Sequence, residues 1–291
     1  MFKIDLLLYP MLVDTHTHVQ FRGFQGETDE VMKRAMDAGV VVINVGTQKD
    51  TSREALEMLD RYQHGVYAVV GLHPIHTFSQ HVDEEESSFL TREEVFDYEY
   101  YKLLATNPRV VGIGECGLDY YRLSENEDHE QVKLLQRTAF EAQIKLALEL
   151  DKVLCVHTRP SSGSMDAYDD LYEILRAVKA AHPNLRFEVH CYTGNLEGAK
   201  KFVELGGYIG INGILTFDRT GVAAEVVRGI PLERILLETD APYLTPNPFR
   251  GKRNEPLYIK HIAEKIAEVR NITFEEVAKA TSENAISLFN L

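Results

Sequence analysis

Cysteine, long apolar runs and basic charge are all scarce in these 291 residues. The three cysteines, Cys116, Cys155 and Cys191, are odd in number and widely spaced. That argues against a disulfide framework or a CxxC metal site and leaves buried free thiols as the plain reading. No apolar stretch approaches the roughly 20 residues of a membrane-spanning helix. The run from Ile4 to Val13 is broken by Asp5 and Pro10, with no small-residue cleavage site after it. The expectation is a soluble, cytoplasmic protein with no membrane partner. Lysine and arginine number 31 against 45 aspartates and glutamates, a formal net charge of −14. This excludes a broad basic surface that grips nucleic acid through many phosphates. A polyanionic substrate remains compatible, because bound divalent cations supply positive charge locally.

What the chain does have is an alternation of two patterns. Eight short runs read as strands, most of them buried on both faces: Met11–Asp14, Val40–Val45, Val66–Val70, Val110–Ile113, Val153–Val156, Leu185–Val189, Gly207–Ile211 and Ile235–Leu237. Helical patterns lie between them. Thr28 is placed to cap a helix with apolar positions Val31, Met32, Ala35 and Met36, stopped by Gly39. Residues 130–150 carry Val132, Leu135, Ala139, Ala142, Leu146 and Leu150 on one face, and 168–179 and 196–205 behave alike. Ile259, Ile262, Ile266 and Val269 form a later stripe, and Thr273 opens a capping box with Glu276. Strand then helix, eight times, predicts an α/β fold, a TIM (β/α)8 barrel of parallel strands ringed by helices, with a doubly wound open sheet as competitor. No linker composition interrupts residues 1–291, which read as one barrel domain. The acidic run Asp83–Glu86 reads as a solvated loop or helix start.

The residues that follow the strands carry the chemistry. His16 and His18 follow the first ("VDTHTHVQ"), His73 the third ("GLHP") and Glu115 the fourth ("GECGLDYY"). His157 follows the fifth ("VHTRP"), His190 the sixth ("HCYTG") and Asp240 the eighth ("ETDAPYL"). In a parallel barrel those ends converge on one mouth. One such histidine is unremarkable, but six strands ending in a possible metal ligand form a pattern. His16 and His18 project to one side because side chains alternate along a strand, and Glu238 shares the side of Asp240, so that one carboxylate can bind metal while the other supports it. Histidines plus carboxylates suit Zn or Mn, and the oxygen ligands admit Mg. The supply exceeds one closed structural site and fits two divalent ions sharing a carboxylate. Glu115, from the middle of the strand order, is the natural bridge.

Taken together, "DTHTH", "GLHP", "GECGLDYY", "VHTR", "HCYTG" and "ETDAPYLTPNPFRGKRNEP" resemble the TatD family of metal-dependent deoxyribonucleases, in order from Asp14 to Pro256. The resemblance implies a TIM barrel and hydrolysis of phosphodiester bonds in DNA, often as a 3′→5′ exonuclease on single strands. It implies that His16, His18 and Asp240 hold one ion, that His157 and His190 hold the second, and that Glu115 bridges. His73 would lie beside the site against phosphate, and Asp240 would accept the proton of the attacking water. The chain departs from the usual pattern at Val19, Gln20, Tyr192 and Thr193, none of them a ligand, and in the Ser/Gly-rich segment Pro160–Ala167 beside the mouth.

Arg250, Lys252 and Arg253 cluster after Asp240, and on a −14 chain this basic group reads as phosphate-steering. Arg122 and Arg159 are candidates to join it. Phe21, Phe24, Tyr120, Tyr121, Phe217 and Tyr243 offer rings near the mouth on which bases stack without sequence preference. Two other classes of function compete. One is an amidohydrolase-type deacylase or esterase acting on a C–N or C–O bond, for example in aminoacyl-tRNA. Its relatives commonly bridge their metals with a carboxylated lysine, and no lysine lies between Val110 and Tyr121. The other is a non-catalytic metal-dependent binding protein, which has no need of so full a ligand set. The sequence leaves the oligomeric state open, a monomer being compatible.

Overall fold

The computed structural model describes residues 12–79, 81–84, 87–91, 93–121, 123 and 128–291. Three of the β-branched runs become strands with the expected limits: β2 (Val40–Val45), β3 (Val66–Val70) and β10 (Ile235–Leu237). The others are β1 (Leu12–Thr17), β6 (Val110–Asp119), β7 (Val153–Arg159), β8 (Phe187–Val189) and β9 (Tyr208–Ile211). These eight form one parallel sheet in the order β1-β2-β3-β6-β7-β8-β9-β10, which follows the chain without a reversal. A doubly wound sheet reverses its strand order at a switch point; this one curls into a TIM barrel instead. Its seam, between β10 and β1, is tied by main-chain bonds just beyond the strands, Asp240 N–H to the His16 carbonyl and His18 N–H to the Ala241 carbonyl, and by side chains. The Thr15 hydroxyl donates to the Leu237 carbonyl (3.1 Å), and the buried Asp14 accepts from the Thr239 N–H (2.8 Å) and hydroxyl (2.6 Å).

Around the barrel run α1 (Thr28–Asp37), α2 (Lys49–Arg61), α3 (Tyr98–Ala105), α4 (His129–Leu150), α5 (Asp166–Ala181), α6 (Leu196–Glu204), α7 (Ile214–Phe217), α8 (Val222–Gly229), α9 (Ile259–Arg270) and α10 (Phe274–Phe289). Their apolar stripes cover the outside of the strands. The floor of the barrel is filled by Val13, Val41, Ile43, Val69, Val111, Val153 and Leu236, and α10 seals it with Ala285, Leu288 and Phe289. The carboxyl ends of the strands are left for polar residues.

Several local expectations are corrected. Thr28 does not cap α1; it is the first helical residue and its hydroxyl bonds back to the Phe24 carbonyl. Asp83 and Glu84 are neither loop nor helix start but belong to β4 (His81–Glu84), which pairs antiparallel with β5 (Ser87–Leu90); the remainder of that acidic run lies outside the described residues. Glu115 and His157 stand within β6 and β7 rather than after them. Glycines 112, 114 and 117 dilute the β-branched signal in β6, and the strand continues through a register irregularity between Ile113 and Cys116. Thr273 and Glu276 do form the capping box that opens α10.

Candidate metal centre

The carboxyl ends of six strands deliver donor atoms to one place. His16 sits near the end of β1 and His18 just beyond it. His73 follows β3 and caps the short 3-10 turn Pro74–Thr77, His190 follows β8, and Asp240 follows β10. Asp240 holds a left-handed backbone (φ 57°), as does Cys191 beside His190 (φ 47°). Such conformations cost energy in residues other than glycine and cluster where a site is over-determined by its surroundings. All but two of the seven donor residues are buried; Asp240 and His157 keep side-chain exposures of 14% and 16%.

Glu115 is the hub. Its Oε2 lies 3.3 Å from His16 Nε2 and 3.9 Å from His18 Nε2. Its Oε1 lies 2.9 Å from His157 Nδ1, 3.4 Å from His73 Nε2 and 3.8 Å from His190 Nε2. Asp240 Oδ1 completes the first side, 3.4 Å from His18 Nε2 and 3.8 Å from His190 Nε2. Ligands bound at about 2.1 Å to one ion sit about 3.0 Å apart at right angles and about 3.4 Å apart at the tetrahedral angle. The cluster has that spacing. Within 4.8 Å the donors group as His16/His18/Asp240, His16/Glu115/His190, His73/Glu115/His157 and, with a thiol, His190/Cys191/Asp240. His190 therefore falls nearer His16, with rings stacked at 3.4 Å, and His157 nearer His73, at 4.1 Å. His16 is fully buried; its Nδ1 has no hydrogen-bond partner, and its Nε2 meets only Glu115 Oε2 at 3.3 Å, outside good hydrogen-bond geometry. A buried nitrogen so poorly served is costly, and a cation would be a better partner for Nε2.

The outward-facing nitrogens define the tautomers. His18 Nδ1 lies 2.7 Å from the Val45 carbonyl and must donate to it, which leaves the Nε2 lone pair facing inward. His190 Nδ1 faces Glu238 Oε2 at 3.0 Å, and Glu238 is itself fixed by the Cys191 N–H at 2.6 Å. His73 is reversed. Its Nδ1 accepts the Ile75 N–H at 3.1 Å, so the neutral ring carries its proton on Nε2 and presents a donor, not a lone pair, to the centre. Burial lowers the pKa of His73 and keeps it neutral.

Charge follows the same map. Burial alone pushes Glu115 up, but the adjacent His73 and His16 and the hydrogen bond from His157 hold it well below the usual carboxylate range. His16 is lowered to about 4 by burial and by His190. His157 is raised to about 9 against its burial by Asp119 and Glu115, and His190 to about 10 by Glu238 and the nearby carboxylates. Burial raises Asp240, and His18 and His190 more than offset it, keeping the carboxylate ionised.

Asp119 was not among the residues singled out from sequence, although it lies inside "GECGLDYY". Its Oδ2 is 3.2 Å from His157 Nε2 and its Oδ1 accepts the Tyr121 N–H at 3.0 Å. The signal was available: Asp119 is four residues beyond Glu115, the spacing of one face of a strand. The basic residues are less concentrated than the sequence implied. Arg253 donates to the Gly23 carbonyl (2.7 Å) and to Glu27 (2.8 Å), tying two loops together. Arg250 covers the Phe217 ring at 4.2 Å, Lys252 lies over Phe249 at 5.4 Å, and Arg159 stacks on Tyr121 at 3.9 Å. Arg122 lies outside the described residues. Phe24 and Tyr120 are core residues, while Phe21 stacks on His18 at 4.4 Å and Tyr121 is 52% exposed.

No helix among the described residues is long and apolar enough to cross a membrane. A family model described as "TatD related DNase" matches residues 13–290. The metal-dependent hydrolase YabD of Bacillus subtilis is 37% identical over 97% of this chain and 100% of its own length. The 3′-5′ ssDNA/RNA exonuclease TatD of Salmonella typhimurium is 34% identical over 92% of this chain and 95% of its own. Among solved structures, the TatD homologue YjjV of Escherichia coli K12 superposes with a TM-score of 0.79 at 30% identity, covering 96% of this chain and 98% of that one. A buried histidine–carboxylate cluster at the mouth of a parallel barrel and a match along nearly all of its length give one conclusion: this chain belongs to the TatD family of metal-dependent hydrolases.

Proposed function

We propose that the protein cleaves phosphodiester bonds in DNA, acting from the 3′ end of single strands, with two divalent ions that share Glu115. The observation that carries this reading is the division of donors between the two oxygens of one buried carboxylate: His16 and His18 at Oε2, His157, His73 and His190 at Oε1. The exonuclease named among the relatives supports the substrate class. His16, His18 and Asp240 would hold one ion and His157 the other; the family resemblance gives His190 to the second ion, while its ring stacks on His16 and its Nε2 lies 3.8 Å from both Glu115 Oε1 and Asp240 Oδ1. Mg, Mn and Zn all accept such donors, and Mn is at ease with both imidazole and carboxylate. When bound, the ions supply Lewis acidity toward a phosphoryl oxygen and toward the attacking water and leaving oxygen.

The chain's own residues do the rest. Asp240, ionised and partly exposed, takes the proton of the attacking water. The water oxygen bonds to phosphorus, the bond from phosphorus to the 3′ oxygen breaks, and that oxygen takes a proton from solvent. His73, fixed with its proton on Nε2, donates to a non-bridging oxygen of the phosphate. Arg159, Arg250 and Lys252 guide the strand by charge.

The test is digestion of end-labelled single- and double-stranded DNA and RNA in Mg, Mn and Zn, with acyl esters and amides in parallel and Glu115→Ala as control. Stepwise shortening of single-stranded DNA from its 3′ end, lost in the variant, is expected. Turnover of acyl substrates with intact DNA would replace this proposal with a deacylase, and DNA binding without cleavage in all three metals would leave a binding protein.

A further inference from the structure

Helix α4 buries an apolar face made of Val132, Ala139, Phe140, Ile144, Leu146 and Ala147, and among them two glutamines, Gln136 at 1% exposure and Gln143 at 0%. A buried amide is costly unless its donor and acceptor are both used. Both are used here, in the same way twice. Gln136 accepts the Asp119 N–H at 2.9 Å and donates to the Asp119 carbonyl at 2.8 Å. Gln143 accepts the Leu72 N–H and donates to the Leu72 carbonyl, each at 2.9 Å. Each amide therefore offers a single backbone residue the paired donor and acceptor that a neighbouring strand would offer.

The two places are informative. Pairing between β3 and β6 ends at Val70↔Ile113. Beyond it, Leu72 leads into His73, and Asp119 reaches past the end of β3 while holding His157. The glutamines are seven residues apart, two turns along one helix, so one rigid element brackets both. Gly71 makes the close approach possible, since a Cβ there would collide with Gln143 Oε1 and the Gly114 carbonyl. An apolar residue of equal length would fill the same space and leave both backbone pairs unsatisfied.

We infer that Gln136 and Gln143 are positioning residues for the Oε1 side of the centre: they fix the backbone of Leu72 and Asp119, and through them the His73 and His157 rings. This rests on the two-ion reading above. The test is Mn2+ titration of Gln136→Met and Gln143→Met beside the unsubstituted protein. Ions retained are counted by elemental analysis after equilibrium dialysis, and pairing is read from the spin-coupled signal in electron paramagnetic resonance. The unsubstituted protein is expected to hold a coupled pair. Gln136→Met, which acts through Asp119 on His157, is expected to lose affinity for the second ion by about 10- to 100-fold, as when an outer partner of a ligand is removed, with the first ion within about twofold and the coupled signal lost first. Gln143→Met, which acts on His73, is expected to keep both ions and to bind inorganic phosphate, followed by calorimetry on the Mn2+-loaded protein, about 10-fold more weakly, the worth of one hydrogen bond to a charged group. Gln136→Met, nearer the rim, serves if Gln143→Met does not fold. A Gln136→Met variant that melts at lower temperature yet keeps both ions at unchanged affinity, with a Gln143→Met variant whose phosphate binding is unchanged, would make the glutamines merely structural and overturn the inference alone. A single ion in the unsubstituted protein would overturn the shared-carboxylate reading, and this inference with it.

Discussion

Glu115 has two oxygens, and the protein surrounds them by different means. The Oε2 side is made from the first and last strands, where the barrel closes on itself, and main-chain bonds set it. Asp240 N–H donates to the His16 carbonyl and His18 N–H to the Ala241 carbonyl, both at 2.8 Å. Closing the barrel therefore places those ligands. The Oε1 side stands where the ladder between β3 and β6 has run out. Main-chain bonds to other neighbours place His73 (N–H to the Thr47 carbonyl, 2.8 Å) and His157 (in the β6–β7 ladder, opposite Gly117), and buried side chains brace it further: Asp119 on His157, Gln136 on Asp119, Gln143 on Leu72. His190, 3.8 Å from both Glu115 and Asp240, reaches toward both sides. Both halves come with the fold, and the Oε1 half carries in addition a brace of buried side chains from α4.

The largest expected effect abolishes the comparison. Glu115→Ala removes the oxygens both sides share, and turnover should fall by at least about 10³-fold, the scale on which loss of one preorganised electrostatic partner is felt, while circular dichroism shows a folded barrel. Next come the substitutions that separate the halves. His18→Ala should weaken the first ion and His157→Ala the second, each by more than the roughly 100-fold upper range for an outer partner, read by metal titration. Equal loss of both ions in either variant would mean that the halves are one site.

The two halves also differed in legibility. The HxH at the end of β1 and the Glu238/Asp240 pair just after β10 lie in short contiguous motifs, so strand alternation sets each pair on one side and the barrel mouth brings the two motifs together. The eight strands were legible for a similar reason, since their β-branched runs are local. Asp119 was harder: a glycine-rich strand with a register irregularity hides how far β6 extends. Gln136 and Gln143 were illegible, because a glutamine on a long helix reads as a solvated position until the helix is packed. Arg253 misled in the opposite sense. Its charge suggested phosphate, and its place in the fold gives it Glu27.

Smaller effects sharpen the contrast. Asp119→Asn should lower affinity for the second ion by about 10- to 100-fold with the first unchanged, seen in the same titration. Acidity should separate the halves too. In the metal-free protein His157 titrates near 9 and His190 near 10, both above the unfolded value of 6.5. Their contribution to stability is fully present below pH 6.5 and is lost as pH rises through 9 to 10, so the metal-free melting temperature should decline over that interval. An ion that takes these rings must displace their protons, so its affinity should rise over the same range. His16, lowered to about 4, has no proton to lose there. The smallest effect is expected at the rim: Arg159→Ala, which removes one cation from the mouth, should raise KM about 2- to 5-fold, the worth of one exposed charge contact at roughly 0.5–1 kcal/mol, with kcat unchanged.

The most direct test is anomalous diffraction from crystals loaded with Mn2+. Two peaks are predicted, one among Glu115 Oε2, His16, His18 and Asp240, the other beside Glu115 Oε1 and His157. A single peak, or a pair that does not share Glu115, would contradict the account.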